Sequence, residues 1–197
     1  MNSSHNWPEL LVIKKFLEPR VAANLVAEMM TASSNRSTVS GRGPVRTIDE
    51  DVRKSRRLSP SKETVALVNR RLLERRVEVE EFFKVTLDKC EDPQFLHYRA
   101  GDYFVAHQDG NTGLLQIETE QRKISAIIFL SNESDADIPQ PNTHCGGSLC
   151  FSNYRLNPGH FRLVGEPGML VAFRSETTHE ITPLTSGERY SIVSWYW

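Results

Sequence analysis

Residues 98–109 read Tyr-Arg-Ala-Gly-Asp-Tyr-Phe-Val-Ala-His-Gln-Asp, and the architecture and chemistry of the chain can be inferred outward from them. The β-type run Tyr103–Ala106 leads directly into a His-X-Asp sequence formed by His107 and Asp109. In an extended segment, residues two apart project to the same face. We therefore expect the imidazole and the carboxylate to be able to bind one ion.

Short β-type runs surround this segment and continue to the end of the sequence. Gly, Pro and Asn separate them, which is typical of strands joined by turns. The runs are Gln94–Tyr98, Tyr103–Ala106, Ile124–Ser131, Ser148–Phe151, Phe161–Val164, Met169–Phe173, His179–Pro183 and Arg189–Trp197. This pattern predicts a sandwich, barrel or jelly roll.

The first third of the chain has a different character. Leu10–Leu17 predicts a short strand, and Glu18-Pro19 opens a helix, since proline suits the first helical position. Apolar spacings of three and four predict a second helix over Ser61–Phe83. Between the helices, Thr31–Ser59 is rich in Ser, Thr, Gly and Arg and predicts a long loop or mobile hairpin.

Composition bounds the class of protein. With 197 residues, 24 basic and 25 acidic, the chain suits one domain and lacks the positive surplus of a nucleic-acid binder. The three cysteines Cys90, Cys145 and Cys150 are too few for a disulfide scaffold and predict reduced thiols in a cytoplasmic protein. We expect no signal peptide and no membrane span, because no apolar stretch approaches the ~20 residues that a bilayer requires.

A second histidine and an arginine extend the candidate site. His179 follows the run Gly168–Phe173, and with His107 and Asp109 it would give two imidazoles and one carboxylate. That ligand set leaves three positions of an octahedral metal open, as in non-haem Fe(II) oxygenases. His144 and His160 are alternative distal ligands, but no strand arginine follows either at the same offset.

Arg189 lies ten residues beyond His179, at the start of the last β-type run. A guanidinium binds a carboxylate in bidentate fashion, and an arginine inside an apolar barrel needs such a partner. A dicarboxylic cosubstrate that chelates iron at one end would place its other carboxylate there.

These segments together resemble the Fe(II)/2-oxoglutarate-dependent dioxygenases, specifically the prolyl hydroxylase branch. Tyr98–Asp109 resembles the Tyr…Gly…His-X-Asp segment of that branch, and Cys145–Leu149 resembles its Gly-Gly-X-Leu strand. Gly168–Phe173 and Glu188–Tyr196 resemble the strands around the distal histidine and the 2-oxoglutarate arginine. The resemblance covers about Gln94–Trp197.

The resemblance implies an α+β, mainly β fold: a double-stranded β-helix, or jelly roll, buttressed by N-terminal helices. It implies that His107, Asp109 and His179 ligate Fe(II), and that Arg189 binds the distal carboxylate of 2-oxoglutarate. Tyr98 would hydrogen-bond the cosubstrate or line its pocket. O₂ is the second cosubstrate, and ascorbate is an accessory reductant that such chemistry admits.

One departure from the family concerns the distal carboxylate. Some relatives place a tyrosine hydroxyl there, and this chain has Phe129 at the corresponding position. Ser191 or Thr182 could supply a hydroxyl instead, and the sequence does not decide between them.

The function that this implies is hydroxylation of a prolyl residue in a protein or peptide, with release of succinate and CO₂. The alternative function is hydroxylation of a free amino acid or small natural product, and a third hypothesis is an inactive jelly-roll binding module. A nucleic-acid demethylase is disfavoured, because Trp195 occupies the position of that branch's second arginine. The sequence does not indicate the oligomeric state.

We expect residues 1–197 to form one domain, with 1–93 as helical support and mobile loop and 94–197 as the catalytic β core. The basic stretch Arg36–Arg57 is either a solvated loop or a lid over the substrate, and Ser131–Thr143 is an acidic loop. We expect other prominent residues to have structural roles. Arg70, Arg71, Arg75 and Arg76 are predicted to lie on a solvated helix face, and His97 is predicted to be a structural histidine. Trp195 and Trp197 are predicted to pack in the core or at a sheet edge, and Tyr103 is predicted to lie in the core or in the pocket wall.

Overall fold

The structure is a computed structural model that describes residues 8–40, 46–112, 118–134, 142–152 and 160–197. Its helices are α1 (Pro19–Thr31), α2 (Lys62–Glu74) and α3 (Arg76–Phe83), with one 3₁₀ turn at Glu118–Gln121. Its first strands are β1 (Leu10–Ile13), β2 (Ser33–Arg36), β3 (Val39–Ser40), β4 (Arg46–Thr47), β5 (Arg53–Lys54), β6 (Arg56–Ser59), β7 (Gln94–Arg99) and β8 (Tyr103–His107). The remaining strands are β9 (Ile124–Phe129), β10 (Asn132–Glu133), β11 (Thr143–Gly146), β12 (Leu149–Ser152), β13 (His160–Leu163), β14 (Leu170–Arg174), β15 (His179–Ile181) and β16 (Leu184–Tyr196).

Two large, mainly antiparallel sheets form the β part, and β3 and β4 pair separately. The major sheet runs in the order β1-β14-β9-β16-β7-β6-β2, with β11 also pairing to β16, and the minor sheet runs β13-β12-β15-β8-β5. Side chains of both sheets, such as Phe129 and Phe173 from the major and Phe151 from the minor, share one buried apolar cluster. This is the predicted jelly roll, and all eight predicted β-type runs contain strand.

Alternate side chains of strand β9 pack on opposite faces of the major sheet. Ile124, Ala126 and Ile128 belong to the cluster that includes the helices, whereas Ile127 and Phe129 belong to the cluster shared with the minor sheet. Successive side chains of a strand point to opposite faces, so a strand covered on both sides reads as a continuous apolar run. The buttressing of the sheet by N-terminal helices is therefore confirmed.

The predicted second helix is divided in two. Ser61 caps α2 by accepting a hydrogen bond from the Thr64 backbone, and α3 begins after Arg75, whose φ of −97° and ψ of −1° interrupt the helix. No Gly or Pro marks this break, so periodicity alone predicts one helix. The four arginines here are exposed or half-buried and pair with nearby glutamates, as predicted for a solvated face: Arg70 and Arg71 with Glu74, Arg75 with Glu78, and Arg76 with Glu80.

The loop alternative for Thr31–Ser59 is wrong where this segment forms the paired strands β2 to β6, while residues 41–45 lie outside the described residues. Strand β2 pairs with β6, and β6 pairs with β7, so these residues extend the major sheet. Strand β5 pairs with β8 and extends the minor sheet. The four residues of β2 are all exposed, which removes the apolar alternation by which a strand is recognised in sequence.

Three further predictions concern the acidic loop, the cysteines and membrane spans, and the first of them is corrected in part. Ser131–Thr143 begins with strand β10, which pairs in parallel with β11, while residues 135–141 lie outside the described residues. The three cysteines, all in the described part of the chain, form no disulfide. Across the described ranges, the helices fall short of the length and apolarity that a bilayer crossing requires.

Gly168 fixes the approach of β1 to the start of β14. It adopts a φ of +84°, and its carbonyl accepts a hydrogen bond from the Leu17 backbone at 2.9 Å. A Cβ at this position would overlap the carbonyl oxygen of Leu17. Gly101 has a φ of +83°, but its Cβ would meet only the Lys54 Nζ at 3.8 Å.

We expect Gly168→Ala to lower the free energy of unfolding by about 3 kcal/mol or more, because left-handed strain adds to overpacking. Gly101→Ala is the matched control and should cost only about 1–2 kcal/mol from strain. Denaturant unfolding of both variants measures the difference. Equal losses would show that the Leu17 contact imposes no constraint.

Candidate active site

Strands β8 and β15 bring the predicted metal ligands together. His179 pairs directly opposite His107 in the minor sheet, and Asp109 follows two residues after β8 ends. His107 Nε2 lies 3.5 Å from Asp109 Oδ1, and His179 Nε2 lies 3.6 Å from Asp109 Oδ2. One potential ligand atom from each residue lies within 4.8 Å of the others, a spacing that could hold a metal ion.

Backbone carbonyls set the orientation of both histidine rings. His107 Nδ1 lies 2.8 Å from the Val105 oxygen, and His179 Nδ1 lies 2.9 Å from the Thr177 oxygen. A carbonyl only accepts hydrogen bonds, so each Nδ1 carries the proton. Each Nε2 therefore turns a lone pair toward the cluster, which is the arrangement of a metal-binding histidine.

Two serines that sequence analysis missed hold the carboxylate. Ser125 Oγ donates to Asp109 Oδ2 at 2.7 Å and lies 3.0 Å from Ser175 Oγ. The Asp109 backbone also donates to the Ser175 oxygen at 2.8 Å. These serines come from other strands and turns, and no local pattern in the sequence connects them to Asp109.

The protonation states of this cluster suit a divalent transition metal. Burial, assisted by the nearby His107, lowers the pKa of His179 to about 4, so the ring is neutral at pH 7. Burial raises the pKa of Asp109, but the adjacent His179 and His107 outweigh it and hold that pKa below its usual value. A neutral His179 and an ionised Asp109 are in the states that bind metal, so the residues present fit Fe(II).

Arg189 provides the second feature of the site. It is 2% exposed, and its Nη1 donates to Ser191 Oγ at 2.8 Å, while its Nη2 is buried without a hydrogen-bond partner among the described residues. Its guanidinium lies 5.3 Å from the centre of the Tyr98 ring. A buried cation without an anionic partner is unfavourable, and burial lowers the pKa of Arg189. A carboxylate of a bound cosubstrate would complete its contacts.

The hydroxyl near Arg189 belongs to Ser191. Thr182 Oγ1 instead accepts a hydrogen bond from the Ser148 backbone at 2.9 Å. Ser191 lines the cavity, and Thr182 is not among the residues that do. Phe129 occupies the predicted place near Arg189, with its ring centre 5.8 Å from the guanidinium carbon.

One cavity of about 120 Å³ contains all these groups. His107, Asp109, His179, Arg189, Tyr98 and Ser191 line it, together with residues of the N-terminal segment. All five sequence-predicted site residues are thus brought together. Among the described residues, these two histidines and this aspartate form the one group with metal-binding spacing.

The rival ligands lie elsewhere or outside the described side chains. His144 is buried, and its Nδ1 lies 2.8 Å from the Gly146 oxygen. Burial, assisted by Arg189, lowers the pKa of His144 to about 4, but this residue does not line the cavity. The His160 side chain lies outside the described part. His97 stacks on the Tyr190 ring at 4.6 Å, which agrees with a structural role.

Two aromatic residues differ from prediction. Trp195 packs against Arg122, whose guanidinium carbon lies 3.6 Å from the ring centre, but it also lines the cavity. Arg122 in turn forms two hydrogen bonds to Glu91 at 2.6 and 2.7 Å. Tyr103 is half-buried and lines no part of the cavity, because its hydroxyl donates to the Glu50 carbonyl at 2.8 Å.

A jelly roll that holds two histidines and a carboxylate beside a buried arginine defines the class of non-haem iron oxygenases with a carboxylate-bearing cosubstrate. The model of the 2OG-Fe(II) oxygenase superfamily matches residues 93–197, and the chain belongs to this superfamily. The resemblance to this superfamily is confirmed, and the cofactors of this class are Fe(II), 2-oxoglutarate and O₂.

Curated relatives include PKHD-type hydroxylases. One from Shewanella sp. (strain ANA-3) is 30% identical over 103 residues, which cover 52% of this chain and 41% of the relative. One from Burkholderia thailandensis is 32% identical over 120 residues, which cover 59% and 47%. The chain thus spans less than half the length of these relatives.

Solved structures share the fold. A Pseudomonas putida prolyl-4-hydroxylase superimposes with a TM-score of 0.72 at 21% identity, covering 96% of this chain and 92% of that chain. A Trichoplax adhaerens prolyl hydroxylase, solved with a peptide fragment of the hypoxia inducible factor oxygen degradation domain, gives 0.64 at 14% identity and covers 98% and 84%. These likenesses confirm the jelly-roll fold.

Proposed function

We propose that this chain is a 2-oxoglutarate-dependent dioxygenase that hydroxylates a prolyl residue in a protein or peptide and releases succinate and CO₂. The observation that carries the proposal is one cavity lined both by the His107, Asp109 and His179 cluster and by Arg189, whose Nη2 has no hydrogen-bond partner among the described residues. We assign the Fe(II) to the cluster and the distal carboxylate of 2-oxoglutarate to Arg189.

The residues of the chain bind and orient. With 2-oxoglutarate and O₂, bound Fe(II) would supply the oxidising chemistry that inserts oxygen into a C–H bond. His107 and His179 present Nε2 lone pairs, and Ser125 fixes the carboxylate of Asp109. Arg189 and Ser191 orient the cosubstrate, and the Tyr98 ring lines its pocket. The apolar walls of the cavity, Leu96, Ile127 and Val193, keep water from the reacting groups.

The Arg36–Arg57 stretch lies at the cavity and bears on the proposal of a peptide substrate. Ser37, Thr38, Val39 and Arg53 line the cavity, which supports a role for the Arg36–Arg57 stretch in covering the substrate. We infer that this stretch acts as a lid over the substrate and that residues 1–197 work as one domain. The three cysteines without disulfides favour the cytoplasm as the compartment.

Succinate release with Fe(II) and 2-oxoglutarate tests the proposal first. We expect metal-dependent succinate formation, and a +16 mass shift on a proline of some protein when lysate is added. Oxidation only of free proline or another metabolite would favour the small-molecule alternative. The absence of both turnover and metal dependence would contradict both enzyme functions and would favour a binding module.

A further inference from the structure

Arg53 is a second buried guanidinium of the cavity. It lies on β5 in the N-terminal segment, is 9% exposed, and lines the same cavity as the metal-binding cluster. Its Nε donates to Ser55 Oγ at 3.0 Å, and its Nη1 has a long contact of 3.5 Å to the Thr38 carbonyl. Both partners are neutral, and no carboxylate of the described residues lies within 4.0 Å of this guanidinium.

The positive charges of the other arginines that line the cavity are balanced by an anion or by water. Arg122 is paired with Glu91 on both prongs of its guanidinium. Arg57 is exposed, so water solvates its charge. In the loaded site, the positive charges of Fe(II) and Arg189 would together balance the negative charges of 2-oxoglutarate and Asp109. Arg53 would remain as a positive charge that nothing in the loaded cavity neutralises, and burying such a charge is unfavourable.

Phe104 connects Arg53 to the metal-binding cluster. The Arg53 guanidinium carbon lies 4.7 Å from the centre of the Phe104 ring. That ring stacks on His107, with centroids 3.5 Å apart and planes 16° from parallel. One aromatic ring therefore separates Arg53 from a proposed iron ligand, so an anion bound at Arg53 would lie one ring away from the metal-binding cluster.

We propose that Arg53 binds a carboxylate of the substrate next to the position that is hydroxylated. This carboxylate is an acidic side chain adjacent to the target residue in a peptide, or the α-carboxylate of a free amino acid. The proposal rests on the proposed function and narrows its substrate to an anionic class. A guanidinium suits this contact because its planar fork matches a carboxylate.

Binding of matched probes tests the proposal without turnover. The protein is loaded with Zn(II) in place of Fe(II) and with 2-oxoglutarate, and affinities are measured by calorimetry. The peptide probes are blocked hexapeptides with one proline and one Asp within two positions of it, each paired with its Asn counterpart. The small-molecule probes are L-proline and L-prolinamide. We expect at least one acidic probe to bind about 10-fold tighter than its amide partner.

Substitutions test whether Arg53 causes the preference for the acidic probe over its amide partner. Arg53→Gln should reduce the acid-to-amide ratio to about 1 and leave the affinity for 2-oxoglutarate unchanged. Arg36→Gln is the matched control, because Arg36 is exposed, pairs with Glu50 and does not line the cavity. If Arg53→Gln does not fold, Arg53→Lys decides: its ratio should fall at least about threefold, because an ammonium lacks the two-pronged contact.

Three outcomes would overturn the assignment. They are equal binding of all acidic and amide probes to the wild type, an acid preference that stays undiminished in the decisive Arg53 variant, and a preference lost only in Arg57→Gln. Failure of the proposed function is distinguishable, because it would appear as no succinate release with Fe(II). A prolyl hydroxylase without acid preference would refute only the role of Arg53.

Discussion

Asp109→Ala is expected to abolish iron retention and with it succinate release. Asp109 is the single carboxylate of the cluster and faces Nε2 of both histidines at 3.5 and 3.6 Å. Loss of outer contacts to a ligand alone costs about 10–100-fold in metal affinity, so loss of the ligand should cost at least about 100-fold. Metal content after dialysis and titration with Fe(II) under anaerobic conditions measure the effect.

Glu180→Gln is the control for this variant. Glu180 follows His179 on β15, and its substitution removes one negative charge beside a proposed ligand, but Glu180 does not line the cavity. Its iron content should equal that of the wild type. Full iron and full turnover in Asp109→Ala would show that the triad assignment is wrong.

Arg189→Ala is expected to raise the 2-oxoglutarate requirement by about 100-fold while iron affinity stays within about twofold. The reason is the unpartnered Nη2, which a carboxylate would satisfy through a charge-assisted hydrogen bond of about 1.5–3 kcal/mol, with further loss from the second prong. Calorimetric titration of 2-oxoglutarate into metal-loaded protein, and KM in the succinate assay, measure the change.

Two comparison variants make this result specific to Arg189. Arg162→Gln removes a half-exposed arginine that pairs with Glu133, and its 2-oxoglutarate affinity should be unchanged. Arg189→Lys keeps the charge without the fork and should give an intermediate affinity, which also serves if the alanine variant does not fold. A wild-type affinity for 2-oxoglutarate in Arg189→Ala would contradict the assignment of this pocket.

The residues of the site were predictable because they follow strong strand signals. His107 and Asp109 end the run that begins at Tyr103, and His179 and Arg189 lie beside apolar runs of the jelly roll. Strand pairing then brings them together, as in the register that sets His179 opposite His107.

The contacts that orient the site were not predictable in the same way. Ser125 reaches Asp109 only because β9 of the major sheet faces the end of β8 in the minor sheet. The sequence pattern predicts a loop around Arg53, because β5 has only two residues and β2 is wholly exposed. Short edge strands carry no apolar alternation, and only the sheet that they join reveals them.

A crystal structure of the protein with Fe(II) and 2-oxoglutarate, grown without O₂ and measured at the iron absorption edge, would locate the metal and the cosubstrate. We expect an anomalous peak bound by His107 Nε2, Asp109 and His179 Nε2, with the distal carboxylate of 2-oxoglutarate on Arg189. An iron peak elsewhere, or a cosubstrate carboxylate that does not contact Arg189, would contradict this assignment.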